Sequence, residues 1–289
     1  MLVALILASG KGTRLAPLST EERPKQYLSL ITENTLVEDT VNRVNGFIKP
    51  ENIYVVTNEA HQNLAYKKFD YLPKNNIILE PEMKETLASI THAVGYITKE
   101  KGDDVEILIL PSDHYIDDND KFKESILLGH KIALKNNNFM MYGVKPTNPS
   151  PEFGYIETKA VNNDLIITNF VEKPKQEIAN ELFASGNYYW NNFIMIFKKE
   201  ILFESIKELL PEQYELLDSY TKGLIDTNEY FDKTLVGSFS RLVLEKQQNM
   251  NLVPADYIWY DVGGFDSLFE ILEKLELYEK LNDIKKQMN

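Results

Sequence analysis

The chain predicts an α/β protein built on a doubly wound, mostly parallel sheet, and three observations predict it. Leu2 to Ala8 is an apolar run of strand length, with no polar face. A strand covered on both sides, as in a parallel sheet, reads this way. Beyond it, short apolar runs alternate with stretches of helical apolar spacing as far as Val144, the β-then-α pattern of a wound sheet. No repeat, low-complexity tract or linker interrupts that alternation.

In chain order, Leu2–Ala8 is the first strand and Leu28–Leu30 a short extended piece. Thr35–Phe47 carries Leu36, Val37, Val41, Val44 and Phe47 near helical spacing, with Gly46 and Pro50 marking its end. Ile53–Thr57 is a second strand, His61–Phe69 a helix broken by Pro73, and Ile77–Glu80 a third strand. Thr86–Thr98 sets Leu87, Ile90, Val94 and Ile97 on one helical face. Val105–Leu110 is the central strand, Lys121–Leu134 a helix and Phe139–Val144 a strand. The rest is less regular. Lys145–Glu152, with its prolines, is a loop. Gly154–Lys159 and Leu165–Glu172 form an added β-hairpin about an Asn162-Asn163-Asp164 turn. Tyr188–Lys198 is an aromatic-rich strand, Glu200–Leu217 is helical with a break near Pro211, and Leu268–Gln287 is one amphipathic C-terminal helix. No further strand is expected in this last part. The terminal helix has an apolar face that docks either on its own domain or on a second copy in a homo-oligomer.

A length of 289 residues suits one large α/β domain, or a domain with an appendage. Hydrophobic residues at 43% and charged residues at 26% fit a soluble globular chain. The net charge of −13 argues against an extended nucleic-acid surface. It leaves room for a small anion in a locally basic cleft. The absence of cysteine excludes disulfides, a thiolate nucleophile and Cys-based metal sites. The N-terminal run has no basic n-region and is too short to span a bilayer. A cytoplasmic protein without membrane or nucleic-acid partners is the expectation.

The first strand empties into Ala8-Ser9-Gly10-Lys11-Gly12-Thr13, followed by Arg14 and, after Pro24, by Lys25 and Gln26. Glycine permits φ > 0 and close backbone approach, and successive N–H groups in such a turn cradle anions. Arg14 and Lys25 add mobile positive charge, so the stretch is read as a polyphosphate loop. It is not the dinucleotide fingerprint, because Leu15 replaces the third glycine, and it lacks P-loop spacing. Gly10-Lys11-Gly12 alone would be an ordinary turn. At the end of the central strand, where α/β sheets bind ligands, stands Pro111-Ser112-Asp113-His114. Asp113 there either binds Mg2+ or caps a turn, and His114 is read as a residue that supports the site or the fold rather than as a ligand. Asp261, in Trp259-Tyr260-Asp261-Val262-Gly263-Gly264-Phe265, is by itself a turn residue. Glu172 and Lys173 of Phe170-Val171-Glu172-Lys173-Pro174 suit sugar hydroxyls and a phosphate respectively, or are an exposed pair at a strand end. In Tyr188-Tyr189-Trp190-Asn191, Tyr188 and Trp190 are read as core.

Taken together, the Gly10 to Ser19 string and Pro24-Lys25-Gln26 resemble the signature of the sugar-1-phosphate nucleotidyltransferases, the nucleotide-sugar pyrophosphorylases. The spacing is most similar to the mannose-1-phosphate guanylyltransferase branch. The resemblance runs in order from residue 2 to about residue 270. It implies a Rossmann-like nucleotidyltransferase fold in one domain: a nucleotide-binding half to about residue 145, a sugar-phosphate half to about 267 and a C-terminal helix over 268–289. It implies transfer of a nucleotidyl group from an NTP to a sugar-1-phosphate with loss of pyrophosphate, GTP and mannose-1-phosphate being the branch's substrates. Arg14 and Lys25 become catalytic. Ala8, Ser9, Gly10, Lys11, Gly12, Thr13, Glu80 and Thr86 bind the nucleotide. Gly154, Glu172, Lys173 and Asn191 bind the sugar phosphate, and Asp113 and Asp261 hold Mg2+.

Some positions depart from the family pattern. Ser9 stands for Gly, Ala16 for Trp, Glu85 for Asn, Glu152 for Gly and Ser240 for Asp. The departures concentrate at base and sugar contacts, so another NTP or sugar-1-phosphate is the alternative within enzymes. A non-catalytic nucleotide-sugar-binding regulator is the alternative from another class. A glycosyltransferase would need a D-x-D motif, which Asp118-Asn119-Asp120 matches only as a polar turn. Longer relatives carry a β-helical C-terminal extension that this chain is expected to lack.

Overall fold

A computed structural model describes residues 1–162 and 164–288. Asn163 of the expected hairpin turn and Asn289 at the end of the expected terminal helix lie outside the described residues. The strands are β1 (Leu2–Leu7), β2 (Ile53–Asn58), β3 (Ile77–Glu80), β4 (Glu106–Pro111), β5 (His114–Ile116), β6 (Met140–Val144), β7 (Gly154–Val161), β8 (Asp164–Val171), β9 (Tyr188–Lys198), β10 (Asn251–Pro254) and β11 (Trp259–Asp261). The α-helices are α1 (Leu36–Asn45), α2 (Gln62–Lys68), α3 (Glu85–Lys101), α4 (Asn119–Asn136), α5 (Gln176–Ser185), α6 (Lys199–Leu209), α7 (Pro211–Thr221), α8 (Thr227–Lys233), α9 (Phe265–Lys274) and α10 (Tyr278–Gln287). The class is mixed α/β. Among the described residues no helix is long and apolar enough to cross a membrane.

The chain forms two units from interleaved segments. The loop unit comprises Ala4–Met83, Leu110–Asn119 and Tyr257–Asn289. In it β1 pairs with β2, and β2 with β3, all parallel. The interior of β1 is fully buried from Val3 to Ile6, as its unbroken apolar run requires. Helix α1 starts at a capping box, with Thr35 accepting from the Glu38 N–H and Glu38 from the Thr35 N–H. The two-stranded antiparallel pair β5–β11 matches His114 with Asp261.

The hairpin unit comprises Met1–Val3, Lys84–Ile109 and Asp120–Asp256. The hairpin is there: β7 and β8 run antiparallel, and β7 also pairs with β9. The parallel character expected of most of the sheet is corrected here. Strand β9 runs antiparallel to both β4 and β6, whereas β6 and β10 pair in parallel. A parallel neighbour needs a crossover of its own. Strand β9 instead follows the hairpin and α5 and enters in the opposite sense.

Other expectations are also corrected. The single terminal helix is two, because Glu276 takes φ +57° and ends α9. The Glu276 N–H then donates to Glu273 O and the Leu277 N–H to Leu272 O, closing a Schellman-type end. Strands β10 and β11 had no counterpart in the sequence pattern, and Asp261 ends a strand rather than a turn. Strand β5 and helices α5 and α8 likewise had no counterpart in the periodicity, which short elements carry poorly. The apolar face of α9 and α10 docks on its own unit. Leu268, Ile271, Leu272, Leu281 and Ile284 are buried with Leu15, Leu28, Leu30, Ile31, Leu36 and Val262. The C-terminal helices therefore support both the residue after Arg14 and the residue after Asp261.

Candidate active site

In the loop unit, β1 delivers the chain to the glycine loop. Gly12 takes φ 65° and ψ 24°, in the left-handed region, and precedes a single 3-10 turn at Thr13–Leu15. Its carbonyl accepts from Ser19 Oγ at 2.7 Å and from the Leu15 N–H at 3.1 Å. Lys25 lies directly against Gly12. A Cβ added at Gly12 would fall 2.6 Å from Lys25 Cγ and 2.8 Å from the Lys25 amide nitrogen. Gly10, by contrast, has open space where a Cβ would stand. The Ser9 hydroxyl is buried without a hydrogen-bond partner.

Lys25 Nζ ion-pairs with Asp113 Oδ2 and donates to Val262 O at 3.3 Å. Burial lowers the lysine's proton affinity, but the Asp113 and Asp261 carboxylates outweigh it and hold the ammonium above its ordinary value. Burial likewise acts to raise Asp113, and Lys25 outweighs it, keeping the carboxyl below the usual range. The pair is therefore a charged one at neutral pH. His114 is pushed down to about 4, by burial first, against the pull of Asp113. Its ring packs edge-on against Trp259 at 5.1 Å.

Asp113 and Asp261, distant in sequence, are brought side by side by the β5–β11 pair. The Val262 N–H donates to Asp113 O at 3.0 Å. Ligand atoms of Asp113, His114 and Asp261 all lie within 4.8 Å of one another. Arg14 reaches the same place. A Cβ on Gly263 would stand 3.1 Å from Asp261 Oδ2 and 3.2 Å from Arg14 Nη2. The unit thus gathers a left-handed glycine loop, two cationic side chains and two carboxylates. Such a set can neutralise and align phosphates. The carboxylate oxygens also suit Mg2+, a hard cation that takes carboxylate and phosphate oxygens. Glu80, at the end of β3, is 2% exposed and sits in this unit.

Thr86 belongs to the hairpin unit, where its Oγ1 accepts the Phe239 N–H at 2.8 Å. That unit also gathers the expected sugar residues. Gly154 on β7 pairs directly with Asn191 on β9, and Glu172 follows β8. A Cβ on Gly154 would lie 2.7 Å from Glu172 Oε2 and 3.3 Å from Asn191 Cβ, so the missing side chain is what admits the carboxylate. Glu172 Oε2 is buried without a partner. Burial, opposed by Lys173 and aided by Glu245, raises its pKa. Asn191 is buried, and its Oδ1 accepts the Phe193 N–H at 2.9 Å, with Phe193 at φ +57°. Lys173 is exposed and takes φ +46°. Tyr188 and Trp190 are core residues, packed on Tyr155 and Phe153 respectively.

Sequence reasoning assigned no role to Glu245, whose Oε1 accepts the Glu172 N–H at 2.7 Å. Asp118-Asn119-Asp120 leads into α4, with Asn119 Oδ1 accepting from Arg43 Nε at 3.3 Å. It acts there as the start of a helix.

Comparison with known proteins identifies the family. A mannose-1-phosphate guanylyltransferase of Sinorhizobium fredii is 31% identical over 280 residues, 93% of this chain and 54% of that protein. A mannose-1-phosphate guanylyltransferase of Klebsiella pneumoniae is 31% identical over 290 residues, 96% of this chain and 61% of that one. The chain thus spans between about half and three-fifths of the length of these relatives. The crystal structure of a mannose-1-phosphate geranyltransferase from Thermus thermophilus superposes with a TM-score of 0.83 at 29% identity, covering 91% of this chain and 76% of that one. Residues 3–277 match the family described as nucleotidyl transferase, and the chain belongs to that family.

Proposed function

We propose that this chain transfers a guanylyl group from GTP to mannose-1-phosphate, forming GDP-mannose and pyrophosphate, on a doubly wound nucleotidyltransferase fold. The observation that carries the reading is the convergence of Lys25, Asp113, Asp261 and Arg14 beside the Gly12 turn. A sugar-phosphate oxygen attacks the α-phosphorus of the nucleotide, the bond from that phosphorus to the bridging oxygen breaks, and pyrophosphate leaves with the electron pair. The attacking oxygen is already anionic, so no protein nucleophile is needed. The protein's part is alignment and neutralisation of charge.

The peptide N–H groups from Gly10 to Thr13, with Arg14, hold the β- and γ-phosphates. Lys25, kept protonated by its carboxylate neighbours, stabilises charge at the α-phosphate and the leaving oxygen. Asp113 and Asp261 would hold Mg2+, which when bound would neutralise phosphate charge. Lys173 holds the sugar phosphate, and Glu172 and Asn191 the sugar hydroxyls. Glu80 offers a carboxylate to the N1–H and N2–H donors of guanine.

A pyrophosphate-release assay over the four common NTPs and a panel of sugar-1-phosphates tests the reading. Turnover with GTP and mannose-1-phosphate above all other pairs is expected. A stronger response to another pair reassigns the substrates. Nucleotide binding with no turnover on any pair would make the chain a binding protein.

A further inference from the structure

The proposed mechanism gives no part to the third residue of Pro24-Lys25-Gln26. Gln26 is 1% exposed, an unusual place for a carboxamide. Its Nε2 donates to Ala8 O at 2.7 Å and to Gly10 O at 2.9 Å. These two carbonyls flank Ser9. Only the NH2 end of the amide can serve two acceptors, because the flipped side chain would set an oxygen against two oxygens. The orientation of the amide is thereby fixed, and its Oε1 is left buried without a partner.

The consequence lies on the other side of the loop. The cis bond of the described chain is at Ala16-Pro17, so the peptides after Ala8 and Gly10 are trans. In a trans peptide the carbonyl of one residue and the N–H of the next point in opposite directions. Holding Ala8 O and Gly10 O on Gln26 therefore turns the Ser9 and Lys11 N–H groups away from it. Among the described residues, no backbone carbonyl takes the N–H groups of residues 9–12. A loop attracts phosphate only while its N–H groups, and not its carbonyls, face the anion.

We infer that Gln26 is a positioning residue for the nucleotide: it ties the carbonyls of the glycine loop inward and so keeps the loop's N–H groups facing the triphosphate. The inference rests on the proposed NTP reading. It differs from the part given to Lys25, because Gln26 acts through the backbone and brings no charge to the phosphate.

Gln26→Met keeps the length and buried volume of the side chain and removes both donors. Gln26→Asn keeps the amide but shortens its reach by one methylene. Each variant is compared with the wild-type chain in three measurements: thermal midpoint, calorimetric affinity for GTP and for inorganic pyrophosphate, and separate KM values for GTP and mannose-1-phosphate. For a folded Gln26→Met, GTP and pyrophosphate affinity about tenfold weaker is expected, with a matching rise in the GTP KM and an unmoved mannose-1-phosphate KM. A merely structural role would lower the thermal midpoint and kcat and leave the GTP affinity in place, and that result overturns the inference. Should Gln26→Met not fold, Gln26→Asn decides by the same affinities. If the wild-type chain binds neither GTP nor pyrophosphate, the NTP reading fails and takes this inference with it. If the wild type binds both and the folded variants bind equally well, only the Gln26 inference fails.

Discussion

Replacing Gly12 and Gly10 separately by alanine sets two neighbouring glycines of one loop against each other. Gly12 holds φ 65°, a conformation that costs a residue with a Cβ about 1–2 kcal/mol. The new Cβ would also meet Lys25, at 2.6 Å from Cγ, 2.7 Å from Cβ and 2.8 Å from the backbone nitrogen. The side-chain atoms can give way, but the nitrogen belongs to the 3-10 turn Lys25–Tyr27, so the loop itself must shift. Overpacking of that kind costs roughly 1–3 kcal/mol. Gly12→Ala should therefore lose about 2–5 kcal/mol of stability. Gly10 has nothing within 4 Å of its Cβ position and is absent from the glycines of positive φ. Gly10→Ala should change stability by less than about 0.5 kcal/mol. Urea unfolding of both variants, with the slope checked for constancy, measures the difference. Equal midpoints for the two would refute the account of Gly12, and with it the claim that a glycine is needed there to seat Lys25.

Asp113→Asn and Asp261→Asn should each raise the Mg2+ concentration needed for half-maximal pyrophosphate release; a titration curve unchanged in both variants rules out a shared ion. Glu172→Gln should raise the KM for the sugar phosphate by about tenfold, the scale of a lost hydrogen bond to a charged group, and leave the KM for the NTP nearly alone. The reverse ranking moves Glu172 to the nucleotide side. His92, enclosed by the rings of Tyr220, Tyr230 and Phe231, is lowered to about 3, by burial first and Lys99 second. Its folded value lies below the unfolded value of about 6.5. Its contribution is therefore fully present above that pH and is lost as pH falls toward the folded value, at up to about 1.4 kcal/mol per unit. Unfolding free energies taken at about pH 7.5 and 5.5 should fall more for the wild type than for His92→Gln, and parallel losses would show that the buried ring does not carry the effect.

The glycine loop was legible because its signals are local. Gly12, Arg14 and Lys25 belong to one short stretch, where residue type alone shows a turn that permits φ > 0 and two positive charges. Local periodicity likewise announced β1 to β4 and α1, which the structure places almost where the pattern did. The short strands β5 and β11 were silent, since three residues carry no readable period. That silence hid the physical reason why Asp113 meets Asp261.

The sequence by itself determined an α/β chain, a glycine loop followed by Arg14 and Lys25, and the family to which the chain belongs. The tertiary structure alone decided that β9 runs against its neighbours, and that the terminal segment is two helices packed beneath Leu15 and Val262. It alone set Gly154 against Glu172 and gave Gln26 the carbonyls on both sides of Ser9. The reason is range. Backbone preference and apolar spacing act over a few residues and are written in order along the chain. Strand direction and the meeting of residues far apart in sequence depend on which distant surfaces bury each other.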